Sequence, residues 1–295
     1  SRFILTLNRD FFMVNFNGTL QSQNDSRLAI ENRGYKYGDA LFETLKVVNG
    51  KIFFLEDHYF RLMASMRMLR MEIPMNFTME FIESEILKTV EANDLIKSTA
   101  RVRFNVDRGE GGKYLPSSDT NVNFSVKAEP HSSPFYTIED TTAYVVDLYK
   151  DYFMAPGLLS GLKSNNKVLQ VVGSIYAEEN ELDNCLVLNT NKSVIEALNG
   201  NLFLVKGDKI KTPPLEDGCL KGVMRKQVLE ILAKDVNLIV EEASISPFEL
   251  QKADELFITN VIKGIVPITK YRKKSYNNDF AQNVVTKLNA KLRLV

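Results

Sequence analysis

The break at Glu129-Pro130-His131-Ser132-Ser133-Pro134 constrains the fold more than any other stretch of this chain. Two prolines among small polar residues satisfy neither the period of a helix nor that of a strand, so the segment reads as a linker. On each side of it, short β-like runs interleave with amphipathic helical stretches, and no internal repeat, coiled coil or low-complexity segment intervenes. At 295 residues the chain exceeds the usual size of a single core, so two domains are expected. The reading is an N-terminal α/β domain over 1–128, a linker over 129–135 and a C-terminal α/β domain over 136–295.

Composition enters where it excludes function classes. Lys plus Arg and Asp plus Glu both number 37, giving no net charge, which argues against a nucleic-acid or membrane-surface protein driven by bulk electrostatics. Any anion site must be local. Cys185 and Cys219 lack C-x-x-C spacing, so neither a disulfide framework nor a structural metal site is expected, and a reducing cytoplasm fits best. The N-terminal segment lacks the apolar length of a signal peptide, and no later run reaches about eighteen apolar residues, so no membrane association is expected.

In the first half, residues 11–16 alternate ahead of Asn17-Gly18, a hairpin dipeptide. Arg33-Gly34-Tyr35-Lys36-Tyr37-Gly38-Asp39 puts two glycines into a turn. A strand over 40–48 follows, ends at Asn49-Gly50 and returns over 51–55. Helical spacing covers 55–71 and 77–93. A strand over 100–106 carries Arg101 and Arg103 two residues apart, hence on one face. It runs into a flexible cationic loop over 107–114, and a strand over 121–128 closes the domain. In the second half strands are expected over 143–148, 185–189, 202–205 and 256–259, and helices over 167–179, 223–234, 246–251 and 278–292.

The chemistry concentrates between Gly161 and Arg225. Read alone, Lys163, Glu196 on a β-like segment and Gly222 opening an amphipathic helix could hold an aldehyde, a pyridinium and a phosphate. That is the inventory of a pyridoxal phosphate site. Taken singly, each has a plainer reading: Lys163 as a surface lysine, Glu196 as an exposed strand end, Arg61 as part of a solvated helix face.

In their order and spacing these pieces resemble the class IV aminotransferase family, the fold-type IV pyridoxal phosphate enzymes. It includes branched-chain and D-amino acid transaminases and 4-amino-4-deoxychorismate lyase. The resemblance covers the chain after Asn15 and implies a two-domain, D-amino acid aminotransferase-like α/β (α+β) fold. It also implies pyridoxal 5'-phosphate as cofactor, bound between the domains, and a homodimer. Lys163, in Gly-Leu-Lys-x-x-Asn, matches the lysine that bonds the cofactor, and Glu196, followed by Ala-Leu-Asn-Gly-Asn201, the acid at the pyridine nitrogen. Arg61, in His58-Tyr-Phe-Arg61-Leu, matches an arginine on the cofactor phosphate, for which its planar donor fork suits it. Gly222, Val223 and Met224 supply backbone amides at a helix start, and Thr259 and Asn260 a second turn. Met224, Val261 and Ile262 stand where hydroxyl residues are common in the family.

On the substrate side the resemblance divides. Arg108-Gly109-x-Gly111-Gly112-Lys113-Tyr114 and Gly222-Val-Met224-Arg225 look like segments of the lyase, and a substrate with two carboxylates suits a site lined by Arg101, Arg103, Arg108 and Lys113. Phe42, in the R-G-x-x-Y-G-D-x-x-F-E block, joins that list. Thr44 and Tyr37 are the candidate proton donors. The alternatives are a transaminase for branched-chain or D-amino acids using glutamate, and a catalytically silent cofactor-binding protein. Arg103 also aligns with an arginine that serves glutamate binding in branched-chain transaminases.

Overall fold

Hairpins build the sheet of the first unit, because the chain twice sets Asn-Gly between β-forming runs. Asn17 and Gly18 take φ of 49° and 83° and turn β1 (Met13–Phe16) into β2 (Thr19–Ser22). Asn49 and Gly50, at 49° and 76°, do the same between β3 (Ala40–Val48) and β4 (Lys51–Ile52). Positive φ at both central residues matches the twist of the paired strands. The computed structural model describes residues 12–118, 121–139 and 142–294, so Phe11, the start of the first expected strand, lies outside the described residues.

With β5 (Thr99–Asp107) and β6 (Asn123–Pro130) these strands form an antiparallel sheet in the order β2-β1-β6-β5-β3-β4. A one-turn helix, α1 (Arg33–Tyr37), precedes β3 where the sequence reads as a turn. Two longer helices, α2 (Leu55–Met68) and α3 (Met79–Ala92), cover one face of the sheet. Leu41, Leu45 and Val47 of β3 and Val102, Phe104 and Val106 of β5 are buried. Phe104 stacks on Phe124 at 5.6 Å, and burying such a ring contributes about 1.5–3 kcal/mol. Strand alternation leaves Phe42, Thr44 and Lys46 on the opposite face, level with Asn105, Arg103 and Arg101.

The break read from the sequence is shorter in the structure. β6 runs on through Glu129 and Pro130, paired with Arg101 and Ala100, since proline is tolerated at a strand end. The chain divides after Pro134, and Lys163–Asn165 group with the first unit rather than with the second, where the sequence reading puts the lysine. The reason is an open edge. β4 covers only the far end of β3; nearer its start, Phe42 N–H donates to Lys163 O (2.9 Å) and Asn165 N–H to Ala40 O (3.0 Å).

In the second unit, β7 (Val145–Met154), α4 (Val168–Glu179), β8 (Asn184–Asn189), β9 (Val194–Ala197), β10 (Gly200–Lys206) and β11 (Lys209–Thr212) are followed by α5 (Val223–Leu232) and β12 (Ile239–Glu242). Then come α6 (Pro247–Lys252), β13 (Glu255–Asn260), β14 (Gly264–Ile268), β15 (Lys270–Tyr271), β16 (Lys274–Ser275) and α7 (Asp279–Leu294). The sheet runs β12-β11-β10-β9-β8-β7-β15-β16, and β13 pairs with β10 and β14. Pairings β7/β8, β7/β15 and β11/β12 are parallel and the others antiparallel, so the sheet is mixed. β8 is buried along its whole length, as expected of a strand covered on both faces. Leu186, Leu202, Leu256, Ile258 and Ile268 form its core.

Candidate active site

In the first unit the free edge of β3 organises the lysine. Lys163 is half-buried, and its ammonium lies 4.4 Å from the centroid of the Phe42 ring. The Arg103 guanidinium lies 3.7 Å from the same centroid. Arg103 is fixed by hydrogen bonds to Asn105 Oδ1 (3.0 Å) and Asn165 Oδ1 (3.1 Å), so the segment that carries Lys163 also orients the arginine. Burial and the nearby charge of Arg101 pull the Arg103 pKa down from its ordinary value. Thr44 stands opposite Arg103 in the β3–β5 ladder. The sequence-predicted Lys163, Phe42, Arg103 and Thr44 are therefore brought together.

Other predicted cations have different partners. Arg101 pairs with Glu129 (3.0 Å), which Lys127 also contacts. Arg108 donates to Asp39 (2.8 Å) and to the carbonyls of Leu69 and Arg70, so its fork is bound within the unit. Lys113 is exposed. The ring of Tyr37 lies 5.6 Å from that of Tyr114. Arg61 donates through Nε to Glu43 Oε1 (2.8 Å) and through a terminal nitrogen to Oε2.

Glu43 and His58 were not singled out from the sequence. They form a buried pair, 3% and 2% exposed, with His58 Nδ1 2.6 Å from Glu43 Oε2. Burial pushes the Glu43 carboxyl upward, but Arg61 and His58 together hold it down at about 2. Burial lowers the His58 pKa despite the carboxylate. Nδ1 faces the Glu43 carboxyl, a geometry that suits a proton on Nδ1, and the buried Nε2 has no hydrogen-bond partner among the described residues. The available signals were the Phe-Glu of the motif and the three-residue spacing of His58 and Arg61, which puts both on one helix face.

In the second unit three adjacent strands set a row of polar side chains. Asn201 of β10 is level with Glu196 of β9 on one side and with Thr259 of β13 on the other, so all three point to one face of the sheet. Glu196 is 8% exposed and lies within the sheet, not at an exposed strand end. Its Oε2 accepts from Leu220 N–H (2.8 Å), while Asn201 Nδ2 donates to Leu220 O (2.8 Å). The turn so held opens α5 at Gly222, where no side chain among the described residues caps the helix. The first amides of α5 therefore retain donor capacity at the positive end of the dipole. Glycine leaves Asn201 in place there, because a Cβ on Gly222 would lie 2.0 Å from Asn201 Oδ1 and displace it. Burial and the charge of Glu196 push the neighbouring Cys219 thiol up to about 12, which suits a packing role. Asn260 Oδ1 accepts from the amides of Ile262 (3.1 Å) and Lys263 (2.8 Å) and closes its own turn, while its Nδ2 donates to Asn199 O (3.3 Å).

These groups fit a phosphorylated pyridine aldehyde. The buried Thr259 Oγ1 has no hydrogen-bond partner among the described residues, the start of α5 offers amides to an anion, and Glu196 is a buried carboxyl suited to a ring N–H. Val223 and Met224, at 4% and 1% exposure, contribute backbone rather than side chain, so a methionine in place of a hydroxyl residue leaves the amides intact. Among the described residues no cluster of His, Cys, Asp or Glu is arranged to hold a metal ion, and no helix is long and apolar enough to cross a membrane.

The fold and these groups define an enzyme that works through a bound cofactor aldehyde. Comparison with known proteins supplies the family. The model for amino-transferase class IV matches residues 40–271, and the chain belongs to that family, whose cofactor is pyridoxal 5'-phosphate. It is 30% identical over 281 residues, 95% of each chain, to a Methanocaldococcus jannaschii protein provisionally assigned as a branched-chain-amino-acid aminotransferase. It is 27% identical over 269 residues to the aminodeoxychorismate lyase of Vibrio harveyi, covering 89% of this chain and 94% of the relative. The branched-chain aminotransferase of Thermoproteus uzoniensis, solved with norvaline, superposes with a TM-score of 0.84 at 22% identity over 96% of this chain and 95% of that one, which shows a shared fold.

Proposed function

We propose that the chain acts on the amino group of a small amino acid-like substrate and, within the family, is a 4-amino-4-deoxychorismate lyase that forms pyruvate and 4-aminobenzoate. The observation that carries this reading is the Lys163–Phe42–Arg103 cluster, an amine and a fixed guanidinium over one aromatic ring. It suits a substrate that presents an amino group and a carboxylate. Likeness to the Vibrio lyase over most of both chains supports it.

Bound pyridoxal phosphate supplies an electron sink that acidifies the substrate Cα–H. The chain's own residues do the rest. Lys163 would hold the cofactor through its aldehyde and would serve as the base for the substrate Cα proton. Glu196 holds a proton at the pyridine nitrogen. The amides that follow Gly222, those of Val223 and Met224, and the Thr259 hydroxyl would hold the phosphate end, beside the turn set by Asn201 and the separate turn closed by Asn260; the family resemblance assigns Arg61 to the same phosphate. Arg103 receives a substrate carboxylate, with Arg101, Arg108 and Lys113 adding positive field. Thr44 or Tyr37 donates the proton that accompanies loss of the enolpyruvyl group.

A second reading, a transaminase for branched-chain or D-amino acids, is favoured by the 30% identity to the Methanocaldococcus protein. Rapid mixing of the cofactor-loaded enzyme with aminodeoxychorismate, and separately with L- and D-amino acids, decides between them. Pyruvate and 4-aminobenzoate from the first support the lyase; conversion of the cofactor to its amine form by a simple amino acid sinks it in favour of a transaminase.

The same reading includes a cytoplasmic homodimer. α4 supports self-association, since Val168, Val171, Val172 and Ile175 recur at helical spacing and are 74%, 57%, 45% and 53% exposed. Val171→Asp with Ile175→Asp should halve the mass seen by light scattering; an unchanged mass would dismiss this face as the interface.

A further inference from the structure

Within the loop over 107–114, read from sequence as flexible, residues 109–114 are built around a single side chain. Arg33, at the start of α1, is 3% exposed. Its Nε donates to Asp39 Oδ2 (3.0 Å). One terminal nitrogen donates to the carbonyls of Gly111 (3.0 Å) and Lys113, and the other to that of Tyr114 (3.1 Å). Its backbone N–H donates to Gly109 O (2.7 Å). The orientation of the guanidinium is in turn fixed, because the same Asp39 oxygen accepts from Arg108 Nε (2.8 Å). Gly109, Gly111 and Gly112 take φ of 72°, 104° and 71°, the left-handed backbone that lets the chain curl and aim three carbonyls at one cation.

Turning the carbonyls inward turns the side chains outward. Tyr114 is 88% exposed and Leu115 83%, Lys113 is exposed, and Tyr37, whose ring is 5.1 Å from the Arg33 guanidinium, meets Tyr114. A planar fork with its donors in a fixed array can hold such a loop; an ammonium on a flexible stem cannot.

We propose that Arg33 is a positioning residue for substrate recognition: anchored by Asp39, it templates residues 109–114 so that Lys113 and the Tyr37–Tyr114 pair are preorganised for an acidic substrate. This inference rests on the proposed activity toward a carboxylate-bearing amino compound, and it deepens that reading by assigning the loop's order to a residue that touches no substrate.

The test uses full-length, cofactor-loaded enzyme and three variants. Arg33→Met removes the template, Arg33→Lys keeps the charge without the fork, and Gly112→Ala disturbs the loop with Arg33 intact, since a Cβ there would lie 2.2 Å from Leu115 O. In each, amides 109–115 should exchange with deuterium at least about tenfold faster while exchange in α3 is unchanged. KM for a substrate with two carboxylates should rise about tenfold with kcat altered less than about threefold, and the cofactor absorbance should be unaltered. If Arg33→Met fails to fold, the other two variants carry the test. Unchanged loop protection, or a loosened loop with unchanged KM, overturns the proposal. Wild-type enzyme without turnover of any such substrate would sink the functional reading and the recognition role together, whereas protection lost in the variants would still establish the template.

Discussion

The two units hold their candidate functional groups in different ways. In the first, side-chain charges are locked by other side-chain charges: Arg61 by Glu43, and Arg33 and Arg108 by Asp39. In the second, one carboxylate and one carboxamide grip opposite sides of a backbone turn, and the helix amides beyond it are the donors. The first arrangement depends on protonation and on side-chain identity. The second depends on the space left by glycine. Substitutions that alter charge should therefore damage the first unit most, and those that add volume the second.

The largest expected effect tests the chemistry that the comparison assumes. Lys163→Ala should lower turnover of the cofactor-loaded enzyme by about four orders of magnitude, measured by product formation; a rate near wild type would end the role given to Lys163.

Glu43→Gln comes next, because it leaves the Arg61 guanidinium buried without its anion. A loss of about 3–5 kcal/mol is expected, read from chemical denaturation. The pH dependence sharpens this. The folded Glu43 pKa of about 2 lies below its ordinary value of 4.5, so its contribution is fully present above about 4.5 and is lost as pH falls toward 2. The lowered His58 pKa works in the same direction, since charging the buried imidazole opposes folding. Denaturation across pH 5 to about 2 should show a slope that Glu43→Gln flattens; an unaltered slope would mean that the pair does not govern acid stability.

Gly222→Ala probes the second unit. Asn201 must move from the added methyl and release Leu220, so cofactor affinity should fall about ten- to a hundredfold in an equilibrium titration, an overpacking cost of about 1–3 kcal/mol. Equal sensitivity of the second unit to Glu196→Gln and to Gly222→Ala would break the contrast between charge and space. Lys206→Ala removes an exposed pair with Asp254, 59% and 50% exposed, and should change stability by less than about 1 kcal/mol. A larger loss would show that surface pairs matter as much as the buried ones.

Much of the fold was legible because its signals are local. Asn-Gly dipeptides fixed both hairpins of the first unit, and the 40–48 strand matches β3 residue for residue. Short strands such as β11, β12, β15 and β16 carry too few residues for a period to emerge. Motifs single out Lys163, Glu196 and Arg61 in the sequence, and the structure shows the contacts each of them makes. Those contacts were not legible in the sequence. That Arg108 anchors a loop and Asn260 closes its own turn depends on which carbonyls and amides come within reach, and spacing along the chain does not encode that. Glu43 lay inside a quoted motif, yet its importance arises only from burial beneath α2.

The three residues Lys163–Asn165 have a consequence for biosynthesis. Their partners on β3 are made long before they are, so during synthesis the sheet through Pro130 can assemble while the start of β3 keeps a bare edge. Non-local pairing of this kind is slow, and an open edge is the place where a foreign strand adds. Closing that edge with the lysine segment ties the appearance of the reactive amine to the last step in completing the sheet.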